Sequence, residues 1–182
     1  MKTWNPDLYT LALNFASKAH KKQTMPGSDL PYLNHIANVA IEVMTAITQS
    51  TDINDPDLAV QCALLHDTIE DTEVTYEELK EIFGITVADG VQVLSKNKGL
   101  ATKAEQMKDS LERIQSQPKE IWMVKMADRI SNLQRPPAYW DNDKIKGYCE
   151  EALIIYDTLN QGNTIIACRL MTKIEDYKQY FK

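Results

Sequence analysis

Apolar residues recur every three or four positions along most of the chain, which is the spacing that places them on one face of an α-helix. The segment Asn5-Pro6-Asp7 precedes the first such pattern with an N-cap residue, a proline at the first helical position and an early acidic residue. The pattern therefore predicts a first helix from Pro6 to about Lys22. It predicts a second helix that begins at Pro31 and continues through Ile47, and a third from Asp55-Pro56 to about Asp71.

Capping and helix-breaking residues divide the remaining sequence into six further helices. The stretch from Thr75 to Glu78 is a capping box, and Phe83-Gly84 places a glycine where that short helix should end. Pro118 opens an apolar helix, as the earlier prolines do. Five of these helices are predicted over residues 75–83, 87–96, 101–116, 141–159 and 164–180. The sixth begins at Pro118, continues through Ile130 and stops before the segment Arg135-Pro136-Pro137. The sequence thus predicts an all-α fold of about eight or nine helices that forms a single domain over residues 1–182.

The composition agrees with a packed helical protein and excludes several functions. Hydrophobic residues make up 43% of the chain and charged residues 25%, and only six glycines are present, which argues against a β-barrel and a glycine-dependent dinucleotide fold. The net charge of −6 gives no general attraction to nucleic acid or anionic lipid, so an anionic ligand requires a local basic pocket. No segment is typical of a signal peptide or a membrane span, and the three cysteines lack a CxxC pair. We therefore expect a cytoplasmic protein with reduced cysteines and no membrane partner.

The third predicted helix carries the most informative polar side chains, at His66, Asp67, Glu70 and Asp71. At about 100° per residue these four lie within an arc of about 140°, while apolar side chains of the same helix occupy another face. Three carboxylates beside an imidazole repel one another unless solvent, cationic partners or a divalent metal is present. The pattern leaves two interpretations open, a solvated acidic helix end or a metal site.

Two other predicted helices offer groups that favour the metal site. The second helix carries His35, and the helix after Pro118 carries Asp128 on a polar face about 80° wide that it shares with Lys125, Asn132 and Arg135. Two imidazoles and two carboxylates suit Mn²⁺, Fe²⁺, Co²⁺ or Zn²⁺ better than Ca²⁺ or Mg²⁺. Cys62 falls on the apolar face of its helix, and His20 is expected to be a hydrogen-bonded structural histidine, so neither is predicted as a ligand.

Five sequence blocks, spread over about residues 12–135, resemble those of a known family. They are Ala19-His20 with Gln23, Pro31 to His35, Ala63 to Thr72, Phe83-Gly84, and Lys125 to Leu133. Their order and residue types resemble the HD-domain phosphohydrolases, and within these the hydrolase domain of the Rel/SpoT stringent-response enzymes and the free-standing small alarmone hydrolases. A lone His-Asp pair is weak evidence, whereas the ordered set is specific.

The resemblance implies an all-α HD-domain bundle with one Mn²⁺ ion as cofactor, held by His35, His66, Asp67 and Asp128. It implies that the pair Glu70-Asp71 positions and deprotonates the attacking water. The implied substrates are small-molecule alarmone nucleotides of the (p)ppGpp type, from which such enzymes release the 3′-diphosphate as pyrophosphate. Tyr32, Asn132 and Arg135 match positions that line the nucleotide pocket in the family. Four lysines of nearby segments are candidates to supply further positive charge, namely Lys21, Lys22, Lys96 and Lys98.

The chain departs from the family in the loop after the first helix, which reads Gln23-Thr24-Met25-Pro26-Gly27-Ser28. Family members that cleave ppGpp usually carry an Arg/Lys-rich segment there, which meets the base and the phosphates. An adenine alarmone such as ppApp or pppApp is therefore an alternative substrate. Two further alternatives are a general HD phosphohydrolase that acts on nucleoside 5′-monophosphates and a nucleotide-binding module without turnover. The sequence does not predict the oligomeric state.

Overall fold

The computed structural model describes residues 3–182, and the regular structure within them is helical except for an isolated bridge between Thr24 and Pro31. The all-α prediction is therefore confirmed, and each predicted helix is present, with the third divided into two segments. The helices are α1 (Pro6–Ala19), α2 (Leu33–Gln49), α3 (Pro56–Leu65), α4 (Thr68–Asp71), α5 (Tyr76–Phe83), α6 (Ile85–Leu94), α7 (Lys103–Gln115), α8 (Lys119–Asn132), α9 (Asn142–Leu159) and α10 (Thr164–Tyr177), followed by a 3₁₀ turn at Lys178–Tyr180. The single domain over residues 1–182 stays a prediction.

Side-chain caps fix the starts of several helices. The Asn5 side chain accepts a hydrogen bond from Asp7 N at 2.8 Å, and Asp55 caps α3 by accepting one from Leu58 N at 2.9 Å. Thr75 forms the predicted capping box at the start of α5. Such caps satisfy backbone N–H groups that have no partner inside the helix, and each contributes about 1 kcal/mol. The capping residues identified in the sequence at these helix starts therefore form the expected caps in the structure.

The third predicted helix does not continue unbroken to Asp71, which corrects the boundary expected from sequence. Helix α3 ends at Leu65, the chain turns at His66 and Asp67, and the single turn α4 begins at Thr68. Asp67 has φ −99° and ψ 0°, outside the helical region, and the Thr68 hydroxyl donates to Leu65 O at 2.6 Å. The helical-wheel arc through the four polar residues therefore does not describe their arrangement.

Other boundaries differ from the predictions by a few residues. Helix α1 ends at Ala19 rather than Lys22, and α2 begins at Leu33. Helix α8 ends at Asn132, so Arg135 lies beyond the helix whose polar face it is predicted to share. Arg135 directly precedes a proline, and a residue in that position avoids the helical conformation.

Helices α2, α3 and α8 form the centre of the molecule and pack against one another. Every residue from Leu58 to Leu65 on α3 is buried, as expected for a helix that is apolar on nearly all sides. Helices α1 and α6 cover α3, whereas α9 and α10 pack against α8. The Cys62 thiol lies in this core, 3.8 Å from Val87 O, as its predicted apolar position requires. The three helices that carry or adjoin the predicted ligands therefore share one core.

Across residues 3–182, no helix combines the length and the apolar character needed to cross a membrane. The predicted cytoplasmic location stays a prediction. Cys62 and Cys149 are buried, Cys168 is exposed, and all three are free thiols.

A buried carboxylate, Glu120, links α8 to the start of α3. Its Oε1 atom accepts hydrogen bonds from Asn54 N at 2.7 Å and from Asp55 N at 2.9 Å. We expect Glu120→Ala to lower the free energy of unfolding by about 2 kcal/mol, because both amides lose a charged acceptor. Thermal unfolding measures this effect, with Glu112→Ala at an exposed position of α7 as the control. Equal melting temperatures for the two variants would contradict the prediction.

Candidate metal centre and cationic chamber

The predicted ligands converge where α2, α3 and α8 meet. The Nε2 atoms of His35 and His66 lie 3.2 Å apart. Asp128 Oδ1 lies 3.5 Å from His35 Nε2 and 3.9 Å from His66 Nε2. One potential ligand atom from each of the three residues lies within 4.8 Å of the others, and both histidines are buried. This spacing allows the three side chains to contact one common ion.

Asp67 joins this group because the chain turns after α3. Adjacent residues of a continuous helix point about 100° apart. The turn instead brings Asp67 Oδ2 to 3.0 Å from His66 Nε2 and 3.5 Å from His35 Nε2. The Tyr32 hydroxyl donates a hydrogen bond to the same Oδ2 atom and so orients the carboxylate. All four residues predicted as ligands thus lie together, and their role as ligands stays a prediction.

The hydrogen bonds of the two imidazoles leave their Nε2 atoms able to bind a cation. His66 Nδ1 lies 2.9 Å from Ala63 O, a carbonyl that can only accept, so Nδ1 carries the proton. His35 Nδ1 lies 3.0 Å from the Ser131 hydroxyl, which can accept a hydrogen bond from Nδ1 and so leave the Nε2 lone pair free for a cation. Two nitrogen lone pairs and two carboxylates then face one another, an arrangement that is repulsive until a cation enters. This donor set fits a divalent transition metal.

The pKa shifts of His66, Asp67 and Asp128 also indicate that the centre stabilises positive charge. Burial disfavours the charged form of His66, but Asp67 and Asp128 outweigh burial and raise its pKa to about 9. Burial also opposes ionisation of Asp67, yet His66 and His35 hold the pKa of this carboxyl well below its usual range. Burial also disfavours the charged form of Asp128, but Lys125 and His66 outweigh burial and lower the pKa of this carboxyl. Lys125 Nζ lies 3.1 Å from Asp128 Oδ2. The centre therefore favours a positive charge between its carboxylates.

Ser131 supports His35 from the side away from the other ligands. The partner of the second imidazole nitrogen fixes the orientation of a ligating histidine, and its loss typically weakens metal binding 10- to 100-fold. We therefore expect Ser131→Ala to raise the dissociation constant for Mn²⁺ about 10- to 100-fold in isothermal titration calorimetry. Ser110→Ala is the control, because Ser110 is equally buried and its hydroxyl has no hydrogen-bond partner among the residues described. Equal affinities would exclude a supporting role for Ser131.

Glu70 and Asp71 lie on α4, directly after the turn that presents Asp67. The Glu70 carboxylate accepts a hydrogen bond from Lys96 N at 2.9 Å and lies 3.3 Å from Lys96 Nζ, and Lys98 Nζ donates to Glu70 O at 2.7 Å. Burial and the nearby Asp67 raise the pKa of Asp71. Burial disfavours the charged form of Lys96, but Glu70 outweighs it and raises the pKa of this lysine. Glu70 is thus held by two lysines, and Asp71 follows it at the end of α4.

A chamber of about 590 Å³ adjoins the centre and is lined by Asp128 and Glu70, among other residues. Six cationic side chains line it against three carboxylates, although the whole chain carries a net charge of −6. A local excess of positive charge in a concave site attracts anions. The six cations are Lys96, Lys98, Lys103, Lys125, Arg129 and Lys144.

Arg129 is a residue of this chamber that sequence reasoning did not single out. Its side chain is 7% exposed, its guanidinium lies 4.2 Å from the centre of the Tyr148 ring, and its Nη2 donates to Glu151 at 3.2 Å. Its Nε and Nη1 atoms are buried and have no partner in the described part of the chain. Buried donors without acceptors are costly, so this guanidinium favours an anion nearby. The signal in the sequence is a charged residue directly after Asp128, on the buried side of α8.

The other predicted binding residues occupy different parts of the site. Asn132 donates its side-chain amide to Asp128 Oδ1 and also lines the chamber. Arg135 is exposed and lines a smaller cavity of about 120 Å³, to which Asn132 also contributes. Lys96 lies in the chamber, whereas Lys21 is exposed and does not line it. The roles of these residues in substrate binding stay predictions.

Comparison with known proteins relates this arrangement to a family. A family model described as HD domain matches residues 12–166. The guanosine-3′,5′-bis(diphosphate) 3′-pyrophosphohydrolase MESH1 of Danio rerio is 34% identical over 163 residues, which cover 87% of this chain and 87% of that protein. The protein of the same name from Homo sapiens is 31% identical and covers 84% of each chain. A solved structure of a metazoan ortholog of SpoT, described as hydrolysing ppGpp, has a TM-score of 0.81 at 24% identity and covers 96% of this chain and 98% of that chain.

Proposed function

The chain belongs to the HD domain family, and on this basis we propose that it is a metal-dependent hydrolase that removes the 3′-diphosphate from a nucleotide of the ppGpp type. The observation that carries the proposal is the position of the cationic chamber, which shares Asp128 with the candidate metal centre and Glu70 with the acidic pair. A polyphosphate in this chamber lies beside residues suited to hold a metal and to accept a proton. The printed names of the relatives from Danio rerio and Homo sapiens support this substrate class.

Mn²⁺ is the proposed cofactor, because a mixed set of imidazole and carboxylate donors suits this ion. When bound, it lowers the pKa of a coordinated water and offsets negative charge on the phosphate. Hydrogen bonds from Lys125 and Asn132 orient Asp128, and the Tyr32 hydroxyl orients Asp67. The donor groups are therefore held in place by neighbours, and the four proposed ligands are His35, His66, Asp67 and Asp128.

Glu70 and Asp71 are the proposed proton acceptors for the attacking water. Lys96 holds the Glu70 carboxylate through both its backbone N–H and its ammonium group. The raised pKa of Asp71 makes this carboxyl a better proton acceptor than an ordinary aspartate. Attack of water on the phosphorus next to the ribose breaks the bond to the 3′ oxygen, which leaves as a hydroxyl after taking up a proton. The second product is pyrophosphate.

The phosphate groups of the substrate are proposed to lie among the cations of the chamber. Lys103 and Lys144 are exposed there and form no ion pair with any carboxylate of residues 3–182, and Lys144 Nζ lies 4.5 Å from the centre of the Trp140 ring. Arg129 adds a planar guanidinium, whose fork of donors matches phosphate oxygens. Lys103 and Lys144 can therefore bind a phosphate chain without the loss of an ion pair, and Arg129 would lose only its ion pair with Glu151.

Incubation of the purified protein with ppGpp and Mn²⁺, followed by chromatography of the nucleotides, tests the proposal. We expect equal amounts of GDP and pyrophosphate, and no product when EDTA removes the metal. Phosphate release from nucleoside 5′-monophosphates with ppGpp left intact would favour a general phosphohydrolase instead. Tight binding of ppGpp in calorimetry without any product would favour a binding module.

An adenine alarmone such as ppApp is a second candidate substrate, favoured by the loop between α1 and α2. Residues 24–30 bring no lysine or arginine to the cavity beside Asn132. The loop packs against the segment after α8, where a Cβ atom on Gly27 would lie 3.2 Å from Pro137 Cβ. Asn132 and Gln134 line this cavity, and the amide side chains of these residue types pair with N6 and N7 of adenine. The ratio of kcat/KM for ppApp and ppGpp decides between the two bases.

A further inference from the structure

Helix α4 carries the proposed catalytic pair but is only one turn long, from Thr68 to Asp71. A single helical turn has no stability of its own in water, because nucleation of a helix is unfavourable. The position of Glu70 and Asp71 must therefore be fixed by contacts with other parts of the protein. Thr68 and Ile69 pack the turn against the core, and hydrogen bonds reach it from two sides, the loop after α1 and the segment after α6.

Gln23 makes the contact on the α1 side and connects both ends of the turn. Its side-chain Nε2 donates to Asp71 O at 2.6 Å, at the last residue of α4. Its backbone oxygen accepts a hydrogen bond from Tyr32 N at 2.9 Å, and the Tyr32 hydroxyl donates to Asp67, at the residue before α4. A single glutamine thus ties the end of the turn to the tyrosine that holds its beginning.

His20 fixes the orientation of the Gln23 amide. The oxygen of Asp71 is a carbonyl and can only accept, so the NH₂ group of Gln23 must point toward it. The amide oxygen Oε1 then faces His20 Nδ1 at 2.7 Å, and this nitrogen is the donor. The His20 ring is buried and lies 5.0 Å from the Tyr32 ring, centre to centre. The predicted structural role of His20 therefore extends to the segment that carries the catalytic pair.

The segment after α6 holds the opposite side of α4. Lys98 Nζ donates to Glu70 O, and Lys96 N donates to the Glu70 carboxylate. Both lysines also line the cationic chamber, so a change in either one alters the phosphate site as well as the turn. Gln23 does not line the chamber, and its side-chain hydrogen bond to α4 goes to the backbone of Asp71. Gln23 is therefore the residue at which positioning can be tested apart from substrate binding.

We propose that Gln23, oriented by His20, is a positioning residue that holds α4 so that Glu70 and Asp71 face the metal centre. The proposal rests on the proposed function for its catalytic consequence. Loss of the bond to Asp71 O frees the last residue of α4 while the four candidate ligands and the chamber keep their partners. The rate of the chemical step then falls, whereas the affinities for metal and nucleotide do not.

Gln23→Glu tests the proposal, since glutamate keeps the size of glutamine and an acceptor for His20 but has no donor for Asp71 O. Gln23→Met, which has neither group, is the second variant. The matched control is Gln115→Glu on α7, where the glutamine Nε2 makes the same kind of bond to Thr158 O at 3.3 Å. We expect amide hydrogen exchange in residues 67–73 to rise about tenfold in both Gln23 variants and to stay unchanged in the control.

In the same variants we expect kcat for ppGpp to fall about tenfold, with KM and the dissociation constant for Mn²⁺ changed less than about twofold. Unchanged exchange in residues 67–73 would overturn the proposal. Faster exchange with a wild-type kcat would overturn it too, because the turn would then be free to move without effect on the reaction. A wild-type protein that leaves ppGpp intact would count against the proposed function, and the exchange measurement would still decide whether Gln23 holds α4.

Discussion

Asp67→Asn is expected to lower kcat/KM for ppGpp by about a thousandfold, which corresponds to about 4 kcal/mol of lost transition-state stabilisation. The substitution removes the negative charge of Asp67, one of the two carboxylates beside the Nε2 atoms of His35 and His66. The affinity of the centre for a divalent cation therefore falls. The asparagine keeps the shape of the side chain and an oxygen that accepts the Tyr32 hydrogen bond. The variant should therefore fold as the wild type does while losing Mn²⁺ in calorimetry.

Asp89→Asn provides a matched control for this experiment. Asp89 on α6 also accepts a hydrogen bond from a tyrosine hydroxyl, that of Tyr76, at 2.7 Å, but it lies outside the proposed metal centre. We expect its metal affinity and kcat/KM to stay within about twofold of the wild type, as is usual for substitutions away from a site. Wild-type activity in Asp67→Asn, with melting temperatures equal in all three proteins, would contradict the proposed centre.

The all-α fold and the group of candidate ligands could be predicted because their signals are local. A cap such as Asp55 or Thr75 acts on amides two or three residues away, so its effect can be predicted from sequence alone. His35 and Asp128 each lie on a helix with one apolar face, and burial of those faces in a common core brings their polar side chains together. Their order along the chain also matched a known family, which the comparisons confirm.

The turn between α3 and α4 could not be predicted from the same signals. The sequence around His66 and Asp67 contains no proline or glycine, so the helical pattern continues through a place where the chain turns. The turn depends on contacts from distant segments, in particular Gln23 with Asp71 and the Tyr32 hydroxyl with Asp67. Only the fold shows that these contacts exist, because they join residues 35 or more positions apart.

The cationic chamber is a second feature that only the fold reveals. Its cations come from the segment after α6, the start of α7, the buried side of α8 and the start of α9. In the sequence, Lys103 and Lys144 are indistinguishable from solvated surface lysines, and Arg129 differs from a surface arginine only by its place directly after Asp128. The excess of positive charge exists only once these four segments pack around one cavity, which is why Lys103, Arg129 and Lys144 are absent from the predicted site.

Glu70→Gln is expected to lower kcat for ppGpp by about 10²- to 10⁴-fold, the usual effect of removing a general base. Glutamine keeps an oxygen for Lys96 N, so α4 should stay in place, and the four candidate ligands are untouched. Calorimetry should therefore show Mn²⁺ binding equal to that of the wild type, and KM should change little, which separates this variant from Asp67→Asn.

Glu42→Gln is the control. Glu42 is also ion-paired, with Arg169 at 3.0 Å, but it lies on α2 outside the chamber. A Glu70→Gln protein with wild-type kcat would show that the proton is taken by another group, and Asp71→Asn would then identify whether its neighbour is that group.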